Sequence, residues 1–122
     1  MKVTIGTDII EVDRIKNAME LPSFSIRVFT DQEIAYCESK SESTKYQHYA
    51  ARFAGKEAIF KALSQKLSSK YDIGWKNIEI LNDKSGKPTV NLIGTNIKNV
   101  KIDVSLSHIK EYAVASAIVT MN

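Results

Sequence analysis

The chain has 122 residues, 43% hydrophobic and 25% charged, with a formal net charge of +3. That length buries a core without cross-links and suits a single domain over residues 1–122, and the composition excludes disordered and fibrous classes. The mild basic balance permits an acidic partner without requiring nucleic acid. The single cysteine, Cys37, cannot close an internal disulfide, the first residues carry no signal-peptide pattern, and the apolar runs are too short to cross a bilayer, so a cytoplasmic protein with no membrane partner is expected.

Val3 to Val12 is β-branched and predicts a strand with its exit, interrupted by Asp8. Asp13 to Met19 suits a short helix stopped near Pro22. Thr30-Asp31-Gln32-Glu33 reads as a capping box opening a helix through about Cys37. Ser39 to Thr44 is a polar, Ser-rich loop, and a long helix runs from about Tyr46 to Leu67. The second half is rich in strands. Asn77 to Leu81 and Thr89 to Leu92 flank a turn at Asn82-Asp83-Lys84-Ser85-Gly86. Lys101 to Ser107 alternates, with Ile102, Val104 and Leu106 on one face. Ile109 to Glu111 is a hairpin connection into Tyr112 to Val119, apolar and rich in small residues, which is expected to be a central, buried strand. The order gives an α+β domain with an antiparallel sheet.

The long helix carries the chemistry. On a wheel of about 100° per residue, Phe53, Phe60, Leu63 and Leu67 share one side and Ala51, Ala54, Ala58 and Ala62 the other. Glu57 and Lys61, one turn apart, lie between the two apolar sets. A helix apolar nearly all round is buried on more than one side, and charges inset in it need partners. An ordinary i,i+4 pair is the simpler account of these two residues. Asp8 from the first strand adds a second carboxylate. Two carboxylates from separate elements suit Mg²⁺, which leaves its other positions to water and phosphate, and a lysine nearby would neutralise phosphate oxygens. Ser105, Ser107 and His108 close a half-buried strand at a turn and could contact an anion; His48, at the helix start, carries no assignment. There is no P-loop, Gly-x-Gly-x-x-Gly, Cys/His zinc spacing or Gly-x-Ser-x-Gly elbow.

These residues match a family pattern. Ile5-Gly6-Thr7-Asp8-Ile9-Ile10-Glu11-Val12-Asp13-Arg14-Ile15 resembles the opening of holo-acyl-carrier-protein synthases, the small class of phosphopantetheinyl transferases. Phe29-Thr30 with Glu33, Arg52-Phe53-Ala54-Gly55-Lys56-Glu57-Ala58 with Lys61-Ala62, Gly86-Lys87-Pro88, and Val104 to His108 with Tyr112-Ala113 match the later blocks, in order, across almost the whole chain. The resemblance implies an antiparallel sheet wrapped around the long helix. It implies transfer of 4′-phosphopantetheine from coenzyme A to a serine of apo acyl carrier protein, leaving 3′,5′-ADP, in fatty acid and lipid biosynthesis. It implies Mg²⁺ held by Asp8, Glu57 and the coenzyme A pyrophosphate, with Lys61 at the phosphates. Arg52, Gly86, Lys87, Pro88, Ser107 and His108 would hold the nucleotide end. It also implies a homotrimer with active sites between protomers, which would account for a helix apolar on two sides. The carrier serine needs a base, either Glu57 or a water on the metal.

The basic docking face for an acidic carrier is sparser than the family's usual one. Asp13 to Val28 offers Arg14, Lys16 and Arg27, with Leu21, Phe24 and Ile26 as apolar alternatives. Two rival readings are a small basic nucleic-acid-binding module and a metal-dependent phosphohydrolase using Asp8 and Glu57. Against the first, the lysines are scattered rather than gathered in a stripe, and the aromatics form no stacking motif.

Overall fold

The structure, a computed structural model, describes residues 1–64, 66–67 and 73–122. Strand β1 (Lys2–Glu11) is followed by helices α1 (Val12–Ala18), α2 (Pro22–Val28), α3 (Asp31–Glu38) and α4 (Lys45–Leu63), a short 3₁₀ turn over Trp75–Asn77, and then strands β2 (Ile78–Asn82), β3 (Pro88–Leu92), β4 (Val100–His108) and β5 (Tyr112–Met121). β1, β5 and β4 form an antiparallel sheet with β5 in the centre, and β2 pairs with β3 in a second, two-stranded one. The result is an α+β fold of antiparallel sheets around a long helix.

α4 lies across the three-stranded sheet because small residues let it in. Ala115, Ala117 and Val119 of β5 are buried with Ala54, Ala58 and Ala62 of the helix in one core, and Ala113 packs with Ala50 and Ala51 in a second. The tightest approach is at Gly6, where an added Cβ would lie 1.9 Å from the Ala58 carbonyl oxygen. Strand and helix backbones therefore touch, and the Thr4 hydroxyl donates to the Ala62 carbonyl beside that contact. Side chains alternate along a strand, so Thr4, Gly6 and Asp8 all face α4.

Local structure departs from the sequence reading in four places. Pro22 begins a helix instead of stopping one, since proline in the first turn of α2 gives up a donor the helix does not need. α4 ends at Leu63, with Leu67 packing on the core beyond the helix, and Gln65 of the expected helix lies outside the described residues. β5 is central but buried on one face only: Tyr112 (45%), Val114 (38%) and Ile118 (45%) point outward and are exposed. Finally, the second apolar side of α4 is covered by its own chain. Phe53 and Phe60 pack on Trp75, with ring centroids 6.0 and 6.5 Å away, and Phe24 of α2 lies 6.1 Å from Phe53. The helix thus offers no bare face to a neighbour. The bare apolar face belongs to the sheet.

One buried network locks this arrangement. The Lys56 side chain is fully buried and its ammonium donates to Glu33 Oε1 (2.7 Å), the Val28 carbonyl (2.7 Å) and the Trp75 carbonyl (3.0 Å). Glu33 also accepts from the amides of Thr30 and Ile80, so the expected capping box is present and its glutamate ties α3 to β2 as well. Burial depresses the Lys56 ammonium below its ordinary pKa, against the pull of Glu33. A charge that deep is tolerable because its donors are all matched.

Candidate active site

The residues singled out in the sequence gather on two flanks of α4. On the β1 flank, Asp8 and Glu57 line a cleft of about 420 Å³ together with Arg14, Ile15, Phe24 and Phe53. Lys61 reaches across from the helix to the strand, donating to the Thr7 carbonyl (2.8 Å) and to Asp8 Oδ1 (3.2 Å). Burial and then the negative charge of Asp8 push the Glu57 carboxyl above the usual carboxylate range, and Lys61 only partly offsets them. Two carboxylates that repel each other at the mouth of a cleft make a place where an added cation is welcome. Among the described residues no third carboxylate, histidine or cysteine joins them. That donor set fits Mg²⁺, which takes one or two protein carboxylates and keeps positions for water and phosphate, and it does not fit a closed structural zinc site.

The other flank holds Arg52, the Gly86-Lys87-Pro88 turn and His108. Nine residues at about 100° each place His48 half a turn around α4 from Glu57, and His48 packs edge-on against His108 with ring centroids 5.0 Å apart. His108 Nδ1 lies 2.8 Å from Gln47 Oε1. A side-chain amide oxygen only accepts, so in this contact Nδ1 carries the proton. Burial and the Arg52 guanidinium depress the His108 pKa. His48 is pushed down to about 4 by burial, His108, Lys40 and Arg52, in that order.

Arg52 is 2% exposed. Its Nε donates to the Ile80 carbonyl (3.1 Å), a terminal nitrogen donates to Asn82 Oδ1, and the guanidinium lies 4.1 Å from the centroid of the Tyr36 ring. Gly86 sits at φ 88°, a left-handed conformation that glycine adopts without strain. The turn is tied by Asp83, whose Oδ1 accepts from the amides of Ser85 (2.9 Å) and Lys87 (3.0 Å). Ser107 does not join His108: it pairs with Val114 and is exposed on the outer face of the sheet. Arg14 and Arg27 are exposed on α1 and α2, as are Leu21 and Ile26, while Phe24 turns inward against Phe29 and Phe53.

Sequence reasoning left out three residues that the fold brings here: Gln47, His48 and Asn82. For His48 a signal existed, because it stands four residues before Arg52 and shares its helix face. Gln47 and Asn82 are recruited across 61 and 30 residues of chain, which local patterns do not report.

The 4′-phosphopantetheinyl transferase superfamily model matches residues 4–117. A holo-[acyl-carrier-protein] synthase of Ruminiclostridium cellulolyticum is 47% identical, over 99% of this chain and 94% of that protein. One from Chloroherpeton thalassium is 43% identical, over 94% and 95%. Among solved structures, a holo-(acyl-carrier-protein) synthase from Bacillus anthracis in complex with CoA (3′,5′-ADP) superposes with a TM-score of 0.83 at 31% identity, covering 98% of this chain and 96% of that one. That from Helicobacter pylori, in complex with coenzyme A, gives 0.77 at 28% identity, covering 95% and 99%. With the blocks around Asp8, Glu57 and His108 all inside the matched span, the chain belongs to the holo-acyl-carrier-protein synthases of the 4′-phosphopantetheinyl transferase superfamily.

Proposed function

We propose that this chain transfers 4′-phosphopantetheine from coenzyme A to a serine of an apo acyl carrier protein, with Mg²⁺ as cofactor, in the cytoplasmic synthesis of fatty acids and lipids. The observation that carries the reading is the meeting of Asp8 and Glu57 at one cleft, with Lys61 bridging helix and strand. In the transfer, the serine oxygen forms a bond to the β-phosphorus of coenzyme A. The bond from that phosphorus to the bridging oxygen breaks, and 3′,5′-ADP leaves with the electron pair. Asp8 and Glu57 would hold Mg²⁺, which when bound neutralises charge on the pyrophosphate oxygens. Glu57 or a water in the cleft would take the serine proton. Lys61 is more than half exposed and held at Asp8, so it can swing to the departing phosphate. Arg14 and Arg27 offer positive charge to an acidic carrier beside the cleft, where rim charges speed encounter.

The two flanks also bear on assembly. The groups for metal and phosphate and those for the nucleotide are separated by α4 within one chain, and the outer face of the sheet carries an apolar patch along β1 and β5: Val3, Ile5 and Ile9 are 54, 72 and 64% exposed. Ile5 pairs with Ile118 and Ile9 with Val114 on that face. A patch of this kind marks an interface. Copies of this chain meeting through it as a trimer would bring the cleft of one protomer toward the nucleotide flank of another.

Mass spectrometry of an acyl carrier protein incubated with the enzyme, coenzyme A and Mg²⁺ tests the activity. The expected product carries one phosphopantetheine and appears with one equivalent of 3′,5′-ADP. Phosphate release without carrier modification would overturn the reading in favour of a hydrolase. Sedimentation tests the assembly: a fully active monomer at micromolar concentration would remove the shared site.

A further inference from the structure

Arg52 is the largest fully buried side chain among the described residues. It donates to Ile80 and Asn82 and stacks on Tyr36, all within its own chain. Arginine has donors and no acceptor, so the atom of Asn82 that faces it must be the amide oxygen. That fixes the other end. Asn82 Nδ2 points along the turn and donates to the Gly86 carbonyl at 2.9 Å. The hydrogen bonds therefore run in one direction: guanidinium to Asn82 oxygen, Asn82 nitrogen to Gly86 oxygen. Gly86 is the one residue of the turn at positive φ, the point where the loop can change shape most freely.

We infer that Asn82 is a positioning residue for the nucleotide end of coenzyme A: it carries the rigidity of buried Arg52 to the Gly86-Lys87-Pro88 turn and fixes the presentation of Lys87. The inference rests on the proposed reading of that turn as a nucleotide contact. Asp83 ties the Lys87 amide from the outside of the turn, and Asn82 ties the Gly86 carbonyl from the helix side. With both in place, the turn is held before the ligand arrives, and binding costs less ordering. Without the Asn82 side chain, the turn retains its Asp83 bonds but loses its direct link to the Arg52 guanidinium.

The test uses Asn82→Ala and Asn82→Ser, with Lys87→Ala as the reference for the turn itself. Serine removes the Nδ2 donor to Gly86 and keeps a hydroxyl oxygen as a polar group beside Arg52, which keeps a second variant available should the alanine leave Arg52 unmatched. Calorimetry with 3′,5′-ADP and steady-state kinetics with coenzyme A and carrier give the readouts. Losing one hydrogen bond of this kind should weaken 3′,5′-ADP binding and raise KM for coenzyme A by roughly three- to tenfold. The kcat and the KM for carrier should stay at parental values, as should the thermal midpoint of the serine variant. A general loss of structure would move all of these together. If Lys87→Ala weakens 3′,5′-ADP binding and both Asn82 variants bind it like the parent, the positioning role is overturned. If none of the three variants affects it, the reading of the turn is overturned as well.

Discussion

Lys56 and Glu57 follow one another on α4, yet the helix turns the first into a closed network and the second toward an open cleft. Lys56 is fully buried and its three donors meet one carboxylate and two carbonyls. Glu57 is only partly buried, and the nearest charge of consequence after burial is that of another carboxylate. The first site is satisfied and contributes structure. The second holds like charges together because the surrounding fold forces them there, which is how sites for cations and proton transfer are made. Adjacent residues of opposite sign on one helix therefore have opposite duties, set by which side of α4 each one leaves.

Substitution should separate them. The largest effect is expected from Lys56→Met, which leaves Glu33 as an uncompensated buried charge and strips two carbonyls of their donor. Breaking a buried pair from one side costs about 3–5 kcal/mol, against a total stability of about 5–15 kcal/mol for a domain. Urea unfolding should show this loss, and Lys56→Met with Glu33→Gln should recover part of it. A single substitution costing under about 1 kcal/mol would mean the network is not what holds α2 and α3 on α4.

Asp8→Asn and Glu57→Gln should behave in the opposite way. Each keeps the shape of the side chain, and turnover should fall by at least roughly a hundredfold while the circular dichroism spectrum is retained. Without metal, Glu57→Gln should be more stable than the parent. The carboxyl titrates above its ordinary value in the folded chain, so its ionisation weakens folding as pH rises through that value, and glutamine escapes the cost. Thermal midpoints in EDTA should converge at low pH and separate toward neutrality. A destabilised Glu57→Gln would make Glu57 a structural partner of Lys61 and collapse the contrast with Lys56.

Lys61→Ala sharpens the assignment within the cleft. Turnover should drop by roughly tenfold or more, and raising Mg²⁺ should not restore it, whereas Asp8→Asn should shift the Mg²⁺ concentration required. Rescue of Lys61→Ala by Mg²⁺ would place the lysine with the metal rather than the phosphate.

The smallest effect belongs to the other flank. His48 is held down to about 4 from an ordinary 6.5 by burial and by His108, Lys40 and Arg52 around it. Between those values the unfolded chain binds a proton that the folded one refuses, so stability should fall as pH drops through the window. His48→Phe should flatten that part of the curve in a comparison of thermal midpoints. Equal slopes for parent and variant would mean His48 takes up its proton freely in the folded state.

Much of this was legible in the sequence because it is local. The capping box at Thr30, the alternation of β4 and the hairpin into β5 all follow from spacing, and each is present. Asp8 stood out as a charge in an apolar strand, and Glu57 as a charge inset in an apolar helix. What the pattern could not supply was the partner of each group. Glu33 reads as a cap and is also the counter-ion of Lys56, 23 residues away. Arg52, to which the resemblance gives a nucleotide role, also donates to Asn82, 30 residues away. The apolar surplus of α4 reads as an interface, yet Trp75 and Phe24 cover it, and the uncovered face lies on the sheet. Pro22 shows the limit even for local rules, since α1 ends at Ala18 without it and Pro22 begins α2.

β1 has a property that concerns insertions and deletions rather than substitutions. Its even positions, Gly6 and Asp8, turn to α4, and its odd positions, Ile5 and Ile9, to the outside, along an unbroken ladder with β5 from Lys2 to Glu11. A shift of one residue in that ladder exchanges the two sets. It would press a side chain into the gap that only Gly6 fits, carry Asp8 away from the cleft and bury Ile9 in its place. Point changes can tune either face of the strand on its own, but an added or lost residue anywhere between Gly6 and Asp8 strikes chemistry, packing and outer surface together, so this segment should keep a fixed length wherever the fold is used.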